Sequence, residues 1–285
     1  MKAFLGTGLL GSNWVRAMRK RNDEVQIWNR TESKAKALES IGAKAFSTPA
    51  EAVKGADRIH LAVSDDAAVD SVLEQALPGL AKDAIIIDHT TTSAIGAAER
   101  TSRWKSRSIT YIHAPVFMGP TNALESTGSM LISGDQDVIK MIEPELSKMT
   151  GQLMNLGDDP STAAGYKLLG NHLFMSITAG LADTFTLGKA LGFPRDEVVE
   201  FIEQMGATPI KARVARILLG NYDAPSWELS MARKDARLMT EEAVRAGMAL
   251  DVMPALGAHM DKLIAAGLGA KDWSIVTKEA VTEKQ

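Results

Sequence analysis

Apolar positions in the first half of the chain fall into short continuous runs that alternate with longer stretches of helical spacing. A continuous apolar run is typical of a strand buried on both faces, whereas apolar residues three or four positions apart are typical of a helix with one buried face. The runs predict strands at 2–5, Glu24–Trp28, Lys44–Phe46, Arg58–Val63, Ala84–Asp88, Thr110–His113 and Ser129–Ser133. The helical patterns predict a first helix that buries Trp14, Val15 and Met18, and further helices near Ser33–Ile41, Pro49–Lys54, Ala67–Leu77 and Ala94–Trp104. This alternation predicts a parallel sheet covered by helices on both faces.

After about Pro160 the strand signals stop and helical spacing continues to the end of the chain. A long helix that Ser161 can cap runs to Leu191, with Gly192 as its stop signal. At 1.5 Å per residue it would be about 45 Å long. Further helices are predicted at Pro194–Met205, Ile210–Leu219, Leu229–Ala246, Asp251–Ala266 and Lys271–Val281. We therefore expect two domains, at 1–160 and 161–285.

Composition and charge narrow the classes of partner. Lys and Arg number 32 and Asp and Glu 35, for a formal net charge of −3, so we expect neither a nucleic-acid nor a membrane partner. The chain has no cysteine, and its histidines (60, 89, 113, 172, 259) show no metal-ligand spacing, so no metal site is expected. The start at Met1–Leu5 leaves no room for a signal peptide, and the uncharged stretch 168–182 is too short for a bilayer. These features predict a soluble, cytoplasmic protein.

A glycine motif follows the first predicted strand and opens the first helix. Gly6, Gly8 and Gly11 form G-x-G-x-x-G, with Leu9 and Leu10 at the start of the helix. The first glycine permits a tight turn, the second lets a pyrophosphate approach the backbone, and the third lets helix and strand pack closely. In this strand–turn–helix context the motif predicts a dinucleotide-binding Rossmann domain. The expected architecture is therefore an α/β Rossmann N-terminal domain and an all-α C-terminal domain joined by a long helix.

The end of the second strand bears on which dinucleotide binds. Asn29, Arg30 and Thr31 follow this strand, and Lys34 is close by. No carboxylate occurs between the end of the strand and Glu32. A carboxylate there would accept hydrogen bonds from the ribose 2′-OH of NAD, whereas an arginine can pair with the 2′-phosphate of NADP. The residues favour NADP, the alternative being that Arg30 is a surface residue in a solvated turn.

Two further segments carry candidate chemistry. Lys167 and Asn171 share one face of the long helix among apolar neighbours, where a lysine either reaches towards the surface or lies in a cleft with a lowered pKa. The segment 113–120 (HAPVFMGP) follows a strand, and its backbone amides could face a ligand carboxylate. The alternative for this segment is an ordinary connecting loop.

Several separated motifs together resemble the β-hydroxyacid dehydrogenases, a family that includes 3-hydroxyisobutyrate dehydrogenase and small semialdehyde reductases. GTGLLGSNW at 6–14 resembles the family's cofactor signature, and DHTTTS at 88–93 resembles its loop near the nicotinamide. HAPVFMGP stands where the family has its substrate loop, GYKLLGN at 165–171 resembles the segment with the catalytic lysine, and 233–235 resembles a stretch in which a lysine reaches the active site.

The resemblance implies a role for each matched residue. Lys167 would be the general acid and base, and Asn171 would hold the substrate together with the loop residues Phe117, Met118 and Gly119. The cofactor, NADP, would be lined by Val63, Ser64 and Thr91 and covered by Lys234. The implied function is NADP-dependent interconversion of a small aldehyde or ketone and a β-hydroxyacid-like alcohol.

The sequence departs from the family pattern at positions that bear on the substrate. Phe117 and Met118 replace the serine and first glycine of the substrate loop, His113 replaces an acidic residue, and Gly170 replaces the first of two adjacent asparagines. Phenylalanine cannot donate a hydrogen bond to a carboxylate. The resemblance therefore leaves the substrate open.

Two other functions fit the same architecture. An imine reductase is favoured by the apolar Phe117 and Met118 but opposed by Lys167, because those enzymes commonly have an acidic residue or a tyrosine there. A non-catalytic NADP-binding scaffold is opposed by the presence of Lys167, Asn171 and Lys234.

The long helix also predicts self-association. Leu173, Met175, Ile177 and Leu181 give it more apolar surface than a small helical domain can cover, so we expect a homodimer or homotetramer.

Overall fold

The computed structural model describes residues 1–206 and 215–281. The chain divides into two compact units, Met1–His172 and Leu173–Gln285. The division falls inside the long helix rather than at residue 160, and the domain boundary at 160 stays a prediction.

The first unit is built on a six-stranded sheet in which every paired strand is parallel. Its strands are β1 (Lys2–Leu5), β2 (Val25–Trp28), β3 (Lys44–Ala45), β4 (Arg58–Leu61), β5 (Ile85–Asp88) and β6 (Thr110–His113), in the order β3-β2-β1-β4-β5-β6. The register aligns Leu5 with Trp28 and Leu61, Leu61 with Asp88, and Asp88 with His113. Five strands therefore end level, and the segments that follow them meet at one edge. The order reverses at β1, which is where doubly wound sheets bind ligands.

Helices cover both faces of this sheet, as the sequence pattern predicts. The longer ones are α1 (Leu9–Lys20), α4 (Asp66–Ala76) and α5 (Ala94–Ser106), and the shorter ones are α2 (Glu32–Lys36) and α3 (Pro49–Val53). One apolar cluster surrounds Phe4, Trp14 and Ile27, and a second surrounds Leu5 and Trp104. Adjacent strand residues Phe4 and Leu5 belong to opposite clusters because successive side chains of a strand point to opposite faces.

The helix expected at Ser33–Ile41 is broken in the structure. It consists of α2 and a separate 3₁₀ turn at Glu39–Ile41. The hydroxyl of Ser40 donates to the Ala37 carbonyl oxygen, which competes with continued helix, and Gly42 then ends the turn with a left-handed φ of 86°.

The strand expected at Ser129–Ser133 does not extend the parallel sheet. It is β8 (Ser129–Ile132) of a second, three-stranded sheet, antiparallel to β7 (Val116–Phe117) and parallel to β9 (Gln152–Asn155). A buried apolar run does not by itself specify which strand it pairs with. Sequence analysis also missed β7 and β9 and the helices α6 (Pro120–Glu125) and α7 (Gln136–Leu146), although Asp135 caps α7 with its side chain.

The long helix, α8, runs over Thr162–Ala190. The amide of Gly192 donates to the Lys189 carbonyl oxygen and that of Phe193 to the Gly188 carbonyl oxygen, with Gly192 left-handed at φ 81°. The stop predicted at Gly192 is therefore confirmed.

The second unit is helical in the part that the structure describes. Its further helices are Arg195–Met205, Leu229–Arg245, Met253–Leu263 and Lys278–Val281, with 215–219 also helical. Residues 207–214 of the helix expected at Ile210–Leu219 lie outside the described residues. The helix expected from Asp251 begins at Met253 because the Asp183 carboxylate accepts hydrogen bonds from the amides of Asp251, Val252 and Met253.

The last predicted helix, Lys271–Val281, also begins later. Asp272 caps a 3₁₀ turn at Trp273–Thr277, and the final helix starts only at Lys278. Across residues 1–206 and 215–281, no helix combines the length and the apolar character needed to cross a membrane.

Candidate active site

A cavity of about 950 Å³ lies in the first unit at the carboxyl edge of the six-stranded sheet. Segments that are far apart in sequence meet there because the strands end level. The predicted site residues that line it are Gly6, Gly8, Leu9, Leu10, Gly11, Asn29, Arg30, Thr31, Val63, Ser64, Thr91, Met118 and Lys167.

The three glycines of the turn have three different environments. Gly6 has a left-handed φ of 98°, and a Cβ there would overlap the Ala62 carbonyl group, 2.9 Å from its carbon and closer to its oxygen. A Cβ on Gly11 would overlap the Gly6 carbonyl oxygen and come within 2.9 Å of the Phe4 ring. Around Gly8 the space is open to 4 Å. Gly6 and Gly11 therefore permit the tight turn and close packing, and Gly8 leaves room for a ligand.

The N-terminus of α1 fits an anionic group. Gly8 is the N-cap and offers no side-chain cap, and the first turn of the helix contains no acidic residue. The first amides of a helix lack partners within the helix and carry a partial positive charge. The open space at Gly8 beside these donors suits a pyrophosphate.

Two cations line the cavity beyond the end of β2. Arg30 and Lys34 both contribute to the lining. The neighbouring Asn29 organises this turn, because its Oδ1 accepts from the Thr7 amide at 2.9 Å and its Nδ2 donates to the Thr31 carbonyl oxygen at 3.0 Å. Asn29 thus ties the glycine turn to the turn that carries Arg30.

Hydrogen bonds between neighbouring strand ends shape the middle of the cavity. The Val63 amide donates to Thr90 Oγ1 at 3.1 Å, and the Thr90 amide donates to Asp88 Oδ1 at 2.8 Å. Ser64 donates to Asp65, whose carboxylate caps α4. The predicted residues Val63, Ser64 and Thr91 therefore stand on adjacent, mutually bonded loops.

Lys167 brings an ammonium group to the cavity wall from α8. Its side chain is 8% exposed, and Nζ donates to Asn171 Oδ1 at 2.9 Å. Nζ also lies over the Phe117 ring, 4.2 Å from the ring centroid. Burial lowers the pKa of the Lys167 amine below its usual value. A lysine held in this way can both donate and accept a proton nearer neutral pH than an exposed lysine.

Three predicted substrate-binding residues adjoin the lining. Asn171 and Phe117 each contact Lys167, which lines the cavity. Gly119 lies in sequence between the lining residues Met118 and Pro120. The Gly119 amide donates to Asn122 Oδ1 at 2.9 Å. The expectation that backbone amides of this segment face a ligand carboxylate is therefore wrong at Gly119, because α6 uses that donor internally.

His113 is part of the structural support rather than of the cavity wall. Its ring is buried, and Nε2 lies 2.9 Å from the Thr90 carbonyl oxygen. Burial lowers the pKa of His113 more than the nearby Asp88 raises it.

Sequence reasoning missed one whole wall of the cavity. Four residues of α4 line it: Ala68, Ser71, Val72 and Gln75. Their spacing places them on one face of a helix, and that pattern could have identified the wall once Val63 was assigned to the cofactor. Other lining residues that were not predicted are Trp28, Ala62, His89, Thr90, Val116 and Pro120.

Behind His89 a chain of buried groups leads away from the cavity. His89 Nδ1 lies 2.7 Å from the Ala114 carbonyl oxygen, and its Nε2 lies 3.1 Å from His60 Nδ1. His60 is fully buried, and its Nε2 lies 3.2 Å from Glu145 Oε1. Arg58 also pairs with the Glu145 carboxylate.

The positions of the protons in this chain follow from the Ala114 carbonyl oxygen, which can only accept. His89 must donate from Nδ1, so its Nε2 accepts and His60 donates from Nδ1. Burial, followed by the proximity of His60, lowers the pKa of His89 to about 3, which keeps His89 neutral. His60 Nε2 is then the ring nitrogen that faces the Glu145 carboxylate.

The predicted role of Lys234 is not tested by side-chain geometry. Lys234 lies on the helix Leu229–Arg245, but its side chain is outside the described residues. Among the residues that are described, no group of three or more His, Asp or Glu side chains is placed to hold a metal ion.

Comparison with known families covers nearly the whole chain. Residues 2–157 match the family described as the NAD binding domain of 6-phosphogluconate dehydrogenase. Residues 159–281 match the family described as the NADPH-dependent reductive aminase-like C-terminal domain.

Curated relatives are similar over most of their length. An uncharacterized oxidoreductase of Bacillus subtilis is 24% identical, over 97% of this chain and 98% of the relative. The 3-sulfolactaldehyde reductase of Escherichia coli is 23% identical, over 97% and 94%. The chloroplastic glyoxylate/succinic semialdehyde reductase 2 of Arabidopsis thaliana is 25% identical, over 96% and 77%.

Solved structures with the same fold include imine reductases. That of Myxococcus stipitatus in complex with NADP⁺ is 20% identical, with a TM-score of 0.87 over 98% of this chain and 99% of that chain. Its V8 variant in complex with NAD⁺ is 18% identical, with a TM-score of 0.89 over 98% of each chain. The imine reductase of Streptomyces aurantiacus is 25% identical, with a TM-score of 0.88 over 99% of each chain.

Three findings point to an NAD(P)-binding oxidoreductase: the two family matches, the aldehyde and semialdehyde reductases among the relatives, and the cavity at the glycine turn. The chain is a Rossmann-type NAD(P)-binding oxidoreductase with a helical C-terminal region, and it belongs to the β-hydroxyacid dehydrogenase family.

Proposed function

We propose that this protein is an NADP-dependent reductase that interconverts a small aldehyde or ketone and the corresponding alcohol, with Lys167 as the general acid and base. The observation that carries the proposal is the position of Lys167, whose buried ammonium lines the same cavity as the glycine turn. A dinucleotide held by that turn and a substrate held near Lys167 would share one enclosed space.

The chain's own residues account for binding and proton transfer. The α1 amides beside Gly8 would hold the pyrophosphate, Arg30 the 2′-phosphate, and Val63 and Thr91 the middle of the cofactor. When bound, the nicotinamide group supplies the hydride. As negative charge develops on the carbonyl oxygen, the Lys167 ammonium would stabilise it and donate the proton.

The reverse reaction needs a neutral Lys167 to accept the alcohol proton. Burial lowers the pKa of this amine, so the neutral form is reached at a lower pH than for an exposed lysine. Asn171 accepts a hydrogen bond from Nζ and would keep the amine directed at the substrate oxygen.

The preference for NADP gives the first prediction. Replacing Arg30 with Asp should weaken NADPH binding about tenfold or more and affect NADH less, because a charge-assisted hydrogen bond is lost and repulsion is added. The measurement is the dissociation constant of each cofactor by fluorescence titration.

The matched control for this variant is Arg16→Asp, which makes the same charge change on the exposed face of α1. NADPH binding should be unchanged there. Equal affinity of the parent protein for NADPH and NADH would contradict the assigned role of Arg30.

Reduction of an imine is the second candidate function. Two observations favour it: the match of residues 159–281 to a reductive aminase-like domain, and the apolar ring of Phe117 beside Lys167. The positive charge of Lys167 opposes it, because an ammonium repels a protonated imine.

One assay separates these functions from a non-catalytic scaffold. The protein is incubated with NADPH and a panel of small aldehydes and ketones, with and without an added amine, and NADPH oxidation is followed by absorbance. Oxidation with the carbonyl compounds alone supports the proposal, oxidation that requires the amine supports the imine reductase, and NADPH binding without turnover supports the scaffold.

Self-association is the second prediction. Leu173, Ile177 and Leu181 are exposed on α8, with 54% of the Leu173 side chain accessible. We propose that a second copy of the chain covers this face in a homodimer or homotetramer, because an apolar surface of this kind is costly to leave in water. Light scattering at micromolar concentration should give two or four times 30.6 kDa, and only the single-chain mass would contradict it.

A further inference from the structure

The Phe117 ring fills the space in which a side chain at position 170 would lie. Gly170 lies on α8, and a Cβ at that position would overlap the tip of the Phe117 ring, 2.7 Å from Cε1 and closer still to Cζ. The ring therefore fills the volume that any side chain at position 170 would need. The absence of a side chain at 170 and the large side chain at 117 are thus one structural feature.

This ring also covers the proton donor. Lys167 Nζ lies 4.2 Å from the ring centroid, so the electron-rich face of Phe117 points at the ammonium. The same face repels an anionic group. A carboxylate that approached Lys167 on this side would meet the ring and not a hydrogen-bond donor.

One backbone donor and two cations that could bind a carboxylate are already used or lie elsewhere. The Gly119 amide is bonded to Asn122, and the neighbouring lining residues Met118 and Pro120 have apolar side chains. Among the described residues that line the cavity, the other cations are Arg30 and Lys34, which follow β2. Among the described cations that line the cavity, Lys167 would then be both the anchor for a carboxylate beside Phe117 and the proton donor.

Those two roles conflict. A carboxylate paired with the ammonium stabilises the charged form and raises the pKa of the amine, which makes Lys167 a weaker acid. A substrate with an uncharged, apolar group leaves the ammonium free for the carbonyl oxygen and packs against Phe117 and Met118.

We propose that Phe117 and Gly170 together determine specificity, so that the site selects small carbonyl substrates whose other end is uncharged and disfavours those that carry a carboxylate at that end. This inference rests on the proposed reductase function. Phe117 acts by occupying space and shielding Lys167, and Gly170 acts by leaving that space free.

The test of specificity uses two aldehydes of the same carbon skeleton, 4-oxobutanoate and its methyl ester, reduced with NADPH. We expect kcat/KM for the ester to exceed that for the carboxylate about tenfold or more, which corresponds to the loss of one charge-assisted hydrogen bond. The double variant F117S/G170N places a hydroxyl and an amide at these positions. It should move the ratio towards the carboxylate by about tenfold or more.

The test of the pairing compares alanine substitutions at two glycines of α8 in the same unit. A Cβ on Gly165 meets nothing within 4 Å, so Gly165→Ala should raise the unfolding midpoint by about 2–4 °C, since alanine favours the helix. Gly170→Ala should lower the midpoint in the parent protein and raise it when Phe117 is also replaced by alanine. This reversal of sign is expected only if the ring and position 170 share one space.

Each outcome has a defined meaning. A preference for 4-oxobutanoate in the parent protein would overturn the inference while leaving the reductase function intact. An unchanged substrate ratio in a folded F117S/G170N variant, or the same sign for Gly170→Ala in both backgrounds, would also overturn it. NADPH binding without reduction of any carbonyl compound would show instead that the proposed function is wrong.

Discussion

Replacing Lys167 with alanine is expected to lower the turnover of an aldehyde about 10²–10⁴-fold while NADPH binding stays nearly intact. The range is the usual contribution of one positioned proton donor. The groups proposed to bind the phosphates, the α1 amides and Arg30, belong to other segments that line the cavity and do not depend on the lysine. The effect should therefore appear mainly in kcat, measured at saturating NADPH, and not in the dissociation constant of the cofactor.

Arginine at this position distinguishes proton transfer from charge. Lys167→Arg keeps the positive charge and some stabilisation of the developing oxyanion, but arginine does not release its proton near neutral pH. We expect it to be almost as slow as the alanine variant. Lys189→Ala, an exposed lysine at the end of the same helix, is the matched control and should keep the parent kcat.

The pH dependence should follow the same assignment. Reduction needs the ammonium form, so kcat for reduction should fall as pH rises through the lowered pKa of Lys167, and oxidation should rise over the same range. If Lys167→Ala reduced aldehydes within a few-fold of the parent rate, water or Lys234 would have to supply the proton, and the assigned mechanism would be wrong.

The fold of the first unit was largely predictable because its signals are local. Most strands of the six-stranded sheet lie in short, largely apolar runs, and the glycine turn follows directly from the sequence. The second sheet was not predictable in the same way. Its central strand β8 pairs antiparallel with β7, and β9 is a mostly exposed edge strand whose pattern resembles that of a loop.

Site residues could be predicted where a single segment of sequence identifies them. Features that depend on contact between two distant segments could not. Gly6, Arg30 and Lys167 are each recognisable from their neighbours in sequence. The overlap of Phe117 with Gly170 depends on how α8 lies against the segment after β6, and two substitutions that look independent in sequence are complementary in space. Similarly, His60 and His89 become neighbours only because β4 and β5 pair in register.

The family matches and the site bear on different questions. Residues 159–281 match a family described as reductive aminase-like. The residue that this region contributes to the cavity lining is Lys167, which is hydrogen-bonded to Asn171. A lysine suits the transfer of a proton to a carbonyl oxygen, and it is less suited to a cationic imine. Under the proposed mechanism the lysine therefore favours carbonyl reduction, and the apolar ring beside it favours a substrate without a carboxylate.

Glu145→Gln is expected to lower the free energy of unfolding at neutral pH by about 2 kcal/mol, since the variant leaves His60 without its charged partner. Burial acts to raise the pKa of Glu145, but the hydrogen bond from His60 and the charges of His60, Lys2 and Arg58 outweigh it and hold the pKa at about 2. The Glu145 side chain keeps 18% of its exposure, so solvent screens part of the interaction.

The sign of the pH effect follows from this lowered pKa. The ionised carboxylate stabilises the folded state fully above the ordinary value of 4.5, and this stabilisation is lost as pH falls towards 2. Urea unfolding at several pH values between neutral and about pH 3.5 should therefore show the two proteins converging as the pH falls. Glu143→Gln, an exposed carboxylate on the same helix, is the control and should match the parent throughout. A difference between Glu145→Gln and the parent that stays constant with pH would mean that the packing of the side chain, and not its charge, stabilises the wall behind His89.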